Sequence, residues 1–160
     1  MADVNQFFGN GVVACAYGID QPFVMGNAVS YGGTGYVYYD PAFLHGMTSA
    51  TGSMLPAAMV LAHETGHEIQ GLSSTGGSLS IARELGADCY SGYFLGYVVC
   101  QGRANMFDVM AAFDSACRAG TNLPWWDPRA HGTCDQRVAA VQQGVAAYRA
   151  GASPLAACVF

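Results

Sequence analysis

The chain has 160 residues, 52% of them hydrophobic and only 11% charged, which suits one buried core beneath a polar but largely uncharged surface. It has no lysine, and its six arginines face eleven acids for a net charge of −5, which argues against the basic stripe of a nucleic-acid-binding protein. No stretch reaches the roughly 18 apolar residues of a membrane helix, so no transmembrane segment is expected.

Met1-Ala2-Asp3-Val4-Asn5 has neither a basic start nor a long apolar run, so no signal peptide is visible. Val12-Val13-Ala14-Cys15 faintly resembles a lipoprotein cleavage box, but without an upstream hydrophobic region it reads as strand. Short apolar runs at 11–17, 27–31 and 35–39 predict three strands, with Gly32-Gly33-Thr34-Gly35 as a hairpin turn between the last two. Asp40-Pro41 closes the third run, and a helical pattern begins at residue 54.

Pro56 suits a first helical turn and Gly71 a helix end, which brackets a helix over 57–70. Ala58, Leu61, Ala62, Thr65 and Ile69 form one face of it, with His63 and His67 on another. Further helices are expected over 78–100 and 104–118. Their short link, Gln101-Gly102-Arg103, predicts an antiparallel pair. Cys89 and Cys117 lie at similar distances from that link and are a candidate disulfide. A loop with Pro124, Trp125, Trp126 and Pro128 follows, and the Trp pair either rims a cleft or packs the loop. Thr133-Cys134-Asp135-Gln136 matches a capping box that starts a last helix to about 149. The expected fold is a single α+β domain over 1–160, a small antiparallel sheet packed on about four helices.

Six cysteines without a C-x-x-C pair argue against a cysteine metal site and for disulfides in an oxidising compartment. Buried free thiols are the alternative. The expectation is an exported protein, extracellular or periplasmic, whose signal is not in this chain.

The chemistry concentrates at His63-Glu64-Thr65-Gly66-His67, an H-E-x-x-H. On a helix, positions i and i+4 share a face, so both imidazoles can reach one Zn2+, with Glu64 beside it as a general base toward attacking water. The only glutamates are Glu64, Glu68 and Glu84, and the only histidines His45, His63, His67 and His131. A third ligand cannot come from the common downstream extension, because position 70 is Gln and position 73 is Ser. Glu84 and Asp88, one turn apart on the next helix, supply it instead. The longer Glu84 can reach the metal while Asp88 accepts the free ring N–H of a ligand histidine, His63 first. The opposite assignment, with Asp88 as ligand, stays open. His131 either donates to the oxyanion formed during carbonyl attack or fixes the helix start beside Thr133. Tyr36, Tyr38 and Tyr39 are further candidate donors or packing residues, and His45 is expected to be structural.

The stretches His63–Gln70, Glu84–Gly92 and His131–Val138 together resemble the bacterial neutral zinc metallopeptidase family. Its members carry a similar H-E-x-G-H-x-x-Q, E-L-x-A-D-C-x-x-G and H-G-T-x-x-Q-R-V in the same order. Gly35-Tyr36-Val37-Tyr38-Tyr39-Asp40 also resembles the strand before that family's active-site helix, and the likeness spans roughly residues 25–148. It implies a zincin-like core and a gluzincin-type site: His63, His67 and Glu84 on zinc, Glu64 as general base, Asp88 behind a ligand histidine. The family's cysteine before the upstream strand is missing from 27–31, which leaves Cys15 or Cys117 as partner for Cys89. The expected activity is that of a zinc metallopeptidase acting on peptides or proteins, with substrate pairing along the strand at Gly35–Tyr39. Two alternatives stand beside it: a zinc hydrolase restricted to small peptides, and a zinc-holding interaction module with little turnover.

Overall fold

A computed structural model describes residues 7–8, 13–16 and 24–160, with only the main chain for 13–16. The readings made on residues 1–5 and on Val12 fall outside the described residues, as does the side chain of Cys15. The elements are β1 (Val13–Ala16), β2 (Ala28–Ser30), β3 (Tyr36–Tyr39), α1 (Pro41–Thr51), α2 (Leu55–Ser73), α3 (Ser80–Cys100), α4 (Met106–Arg118), α5 (Cys134–Arg149) and α6 (Pro154–Ala157). The α+β expectation is met in its coarse form, a mostly helical chain with one small sheet. Among the described residues no helix is long and apolar enough to cross a membrane.

The sheet is mixed rather than antiparallel throughout. Its order is β1-β3-β2, with β2 antiparallel and β1 parallel to β3. The hairpin turn lies where the glycines place it, with Gly32, Gly33 and Gly35 all at positive φ. β3 is therefore the central strand, covered along both edges, and substrate pairing at Gly35–Tyr39 is ruled out. β1 and β2 are the outer strands of the sheet.

Asp40-Pro41 does end β3, but it also starts α1, a helix absent from the sequence reading. The Asp40 side chain accepts from Ala42 N–H at 2.8 Å, and Pro41 fills the first turn, where no N–H is needed. The N–H groups of Gly26 and Ala42 hold the Asp40 carboxyl below its usual range. Only Leu44 of this helix is buried. Its Gly, Ser and Thr content hid the helical period.

α2 runs past Gly71, which has a different purpose. A Cβ there would collide with the backbone of Gly32 and Gly33, so its absence lets the β2–β3 turn lie directly on the helix. One turn earlier, fully buried Glu68 accepts from Ser30 Oγ and Gly35 N–H, both at 2.7 Å, and from Thr34 Oγ1. The edge strand is thereby pinned to the helix that carries the histidines.

α3 packs on α2 and α5, and α4 packs on α2 and α5, so the expected α3–α4 pair is not the main contact. Close approach explains the choice: a Cβ on Gly92 would meet the Val141 carbonyl, and one on Gly144 the Cys89 carbonyl. Leu55, Met59 and Ala62 of α2, Phe94, Leu95 and Val98 of α3, Ala112 of α4 and Val141 of α5 make the main core.

Among the described residues the disulfides are Cys89–Cys158 and Cys117–Cys134, with Cα separations of 5.4 and 4.1 Å. Neither Cys15 nor Cys117 is the partner of Cys89. The first bridge ties the chain end to α3; the second joins the last turn of α4 to the start of α5. Cys100 is a free, exposed thiol. Two bridges in 160 residues fit an oxidising environment.

Candidate metal centre and its cleft

α2 and α3 cross antiparallel, with Gly66 against Ala87 and Tyr90. That close crossing sets the histidine face of α2 against the acidic face of α3. His63 Nε2 lies 3.4 Å from Glu84 Oε2, and His67 Nε2 lies 3.3 Å from Glu84 Oε1. One ligand atom from each of the three residues falls within 4.8 Å of the others, so His63, His67 and Glu84 form a group that could hold a metal ion. The division between the two α3 carboxylates follows the longer-reach argument, since Asp88 instead meets His63 Nδ1 at 2.9 Å.

The tautomers of both histidines are fixed from behind. Gln70 Nε2 donates to the Arg83 carbonyl at 2.9 Å, so its Oε1 is left to accept from His67 Nδ1–H at 3.1 Å. A Cβ on Gly86 would strike Gln70 Nε2, so that glycine makes room for the amide. Asp88 accepts from Arg137 Nε at 2.8 Å and Nη2 at 2.7 Å, and from His63 Nδ1–H. With both Nδ1 atoms donating, both Nε2 lone pairs point toward the Glu84 oxygens. Lone pairs facing lone pairs at this distance are relieved by a proton or by a metal cation between them, and a divalent metal could be held there by donors it favours.

The electrostatics repeat that demand. Burial pushes the His63 imidazole down, but the Asp88 and Glu84 hydrogen bonds outweigh it and hold its pKa up at about 10. Burial likewise raises Glu84, yet the His63 and His67 contacts bring it well below the carboxylate range. Burial pushes Glu64 upward, partly offset by the two imidazoles, and the Ser30 main chain hydrogen-bonds its side chain. A metal competes with the protons the cluster would otherwise hold.

His63, Glu64, His67, Glu84, Asp88 and Arg137 line one open cleft of about 950 Å³. β2 and its turn form one wall, α2 the floor, and α3, α4 and the 120–133 loop the remainder. Trp125 and Trp126 stand on the rim, 58% and 66% exposed and edge-to-face, so the rim reading of the pair holds. The Cys117–Cys134 bridge closes the loop that carries them.

That loop also delivers His131, whose Nδ1 lies 2.9 Å from Glu84 Oε2 while its ring stays about half exposed to the cleft. The His131 main-chain N–H donates to Thr121 Oγ1 at 3.0 Å, and the Thr133–Gln136 capping box follows directly. Of the tyrosines, Tyr36 and Tyr38 pack against each other, and Tyr39 is buried in the small core under the sheet. None of the three lines the cleft, whereas Tyr31, not singled out from the sequence, does. His45 sits on α1, facing Ser49, away from the centre.

Gln70, Glu68 and Arg137 were missed as contributors. Gln70 and Arg137 lie inside the family-like motifs, and their spacing on one helix face with His67 or near a buried acid was the available signal. Comparison with protein-family models, curated proteins and solved structures finds no match for this chain.

Proposed function

We propose that this protein is a zinc-dependent peptidase. The observation that carries the reading is the convergence of His63, His67 and Glu84 beside Glu64 on the floor of an open cleft. Three protein ligands leave a coordination position for reaction, whereas structural zinc sites close with four. Zinc, when bound, supplies Lewis-acid polarisation of the scissile carbonyl and acidifies water toward a pKa near ~7.

The chain's own residues do the rest. Glu64 takes the proton from the attacking water and returns it to the leaving amine. Its hydrogen bond with the Ser30 main chain aims the carboxylate. Asp88 and Gln70 hold the ligand imidazoles in orientation, and Arg137 holds Asp88. His131 holds Glu84 and, from its half-exposed position, is the candidate donor to the oxyanion. An extended peptide adds along the outer edge of β2, which runs beside Glu64, in place of the covered β3. The open cleft and an intact Glu64 speak against a purely structural zinc module. Export to an oxidising compartment fits the two disulfides and belongs to the same reading.

Digestion of a mixed peptide library by the zinc-loaded protein tests this. New amino termini should appear, disappear on chelation and return with added zinc. A zinc-loaded protein that cleaves nothing in the library contradicts the reading.

A further inference from the structure

The cleft differs in character at its two ends. Because α2 and α3 run antiparallel, with His67 opposite Glu84 and His63 opposite Asp88, the α2 N-terminal end lies away from the start of α3. Toward that end the walls are apolar: Phe43, Pro56, Met59, Val60, Ala112 and Ala116. At the other end, where the β2–β3 turn rests on Gly71, stands Arg83. Its Nη2 lies 3.7 Å from where a Gly32 Cβ would sit, directly beside the edge-strand turn.

Two arginines line the cleft. Arg137 is consumed by Asp88 and the Ala119 carbonyl. The Arg83 guanidinium has no hydrogen-bond or ion-pair partner among the described residues, and it is exposed. The contrast matters in a chain with six cationic side chains in all, of which Arg118 and Arg129 are paired with Asp114 and Asp127. The other ionisable side chains lining the cleft include the acids Glu64, Glu84, Asp88 and Asp127 and the imidazoles of His63, His67 and His131, and of these Glu84, Asp88 and Asp127 are already engaged by His63, Arg137 and Arg129. A planar guanidinium with free donors is matched best by a carboxylate, which it can take in a forked, two-bond geometry.

We propose that Arg83 is a specificity-determining residue that binds a carboxylate of the substrate, on the opposite side of the scissile bond from an apolar residue seated at the α2 N-terminal end. The inference rests on the peptidase reading and names its substrate class. An acidic side chain and a free chain terminus offer the same chemistry, and the test separates them.

Affinity is read by calorimetry in zinc-loaded Glu64→Gln protein, so that no turnover intervenes. The probes are matched hexapeptides: an amidated set with one Glu placed at each position in turn, the same set with Gln, and a Gln peptide with a free C-terminal carboxylate. One carboxylate arm should bind about 10–100-fold more tightly than its neutral counterpart, as charged hydrogen bonds imply. Which arm does so identifies the source. Adding Arg83→Gln should erase the preference, and adding Arg83→Lys should keep part of it. Equal affinities, including no measurable binding by any peptide, overturn the inference, as does a preference that survives Arg83→Gln. Failure of Glu64-intact protein to cleave any peptide would instead count against the peptidase reading alone.

Discussion

Glu64→Gln is expected to lower kcat on a cleaved peptide by about 10²–10⁴-fold while leaving zinc content at the wild-type level. The amide keeps the length and the acceptor oxygen of the carboxylate, so the hydrogen bond with the Ser30 main chain survives. What it loses is the capacity to take a proton. Because Glu64 contributes no atom to the His63–His67–Glu84 group, metal binding should be spared. Steady-state kinetics and elemental analysis on one preparation decide the matter. A variant that keeps wild-type kcat removes the proposed base, and one that loses zinc shows that Glu64 belongs to the ligand set instead.

Arg137→Ala should cost about 3–5 kcal/mol of stability, the largest single effect on folding expected here. Arg137 is 5% exposed, and it spans three elements: two hydrogen bonds to Asp88 on α3 and one to the Ala119 carbonyl after α4. Asp88 is itself buried and would keep only His63. A buried carboxylate stripped of its main partner is costly, whereas removing both charges together is much less so. The double variant Arg137→Met with Asp88→Leu should therefore recover much of the loss. It should still bind zinc about 10–100-fold more weakly, since His63 is left with nothing behind it. Urea denaturation of the metal-free, disulfide-intact protein measures the first effect and competition with a chelator the second. A loss under about 1 kcal/mol for Arg137→Ala would mean that solvent reaches the pair and that it does not position the histidine.

The site was more legible in the sequence than the sheet or the bridges. The i, i+4 histidines and the i, i+4 acids each declare a helix face, and the close crossing of α2 and α3 at Gly66 brings Glu84 to both imidazoles. Turn chemistry placed the glycines of the β2–β3 hairpin and the Thr133 capping box correctly. Local pattern does not carry pairings between distant segments. Nothing in residues 11–17 says that β1 lies parallel to β3, and chain proximity wrongly favoured α4 as the partner of α3. The decisive signal was the small residues: Gly92 on α3 and Gly144 on α5 mark faces that touch backbone to backbone, and Gly96 on α3 makes room for the Tyr148 side chain. Missing that contact also misassigned Cys89, whose true partner Cys158 arrives with the chain end after α5. Asp40-Pro41 shows a different failure. A dipeptide that ends a strand is equally a cap and first residue of a helix, and both readings were true at once.

The most direct test of the metal centre is elemental analysis of wild type and Glu84→Ala protein, purified identically and refolded with zinc. The account predicts about one zinc per wild-type chain and essentially none in Glu84→Ala. Wild-type protein that retains no zinc would contradict it, leaving the His63–Glu84–His67 convergence as helix packing without a metal.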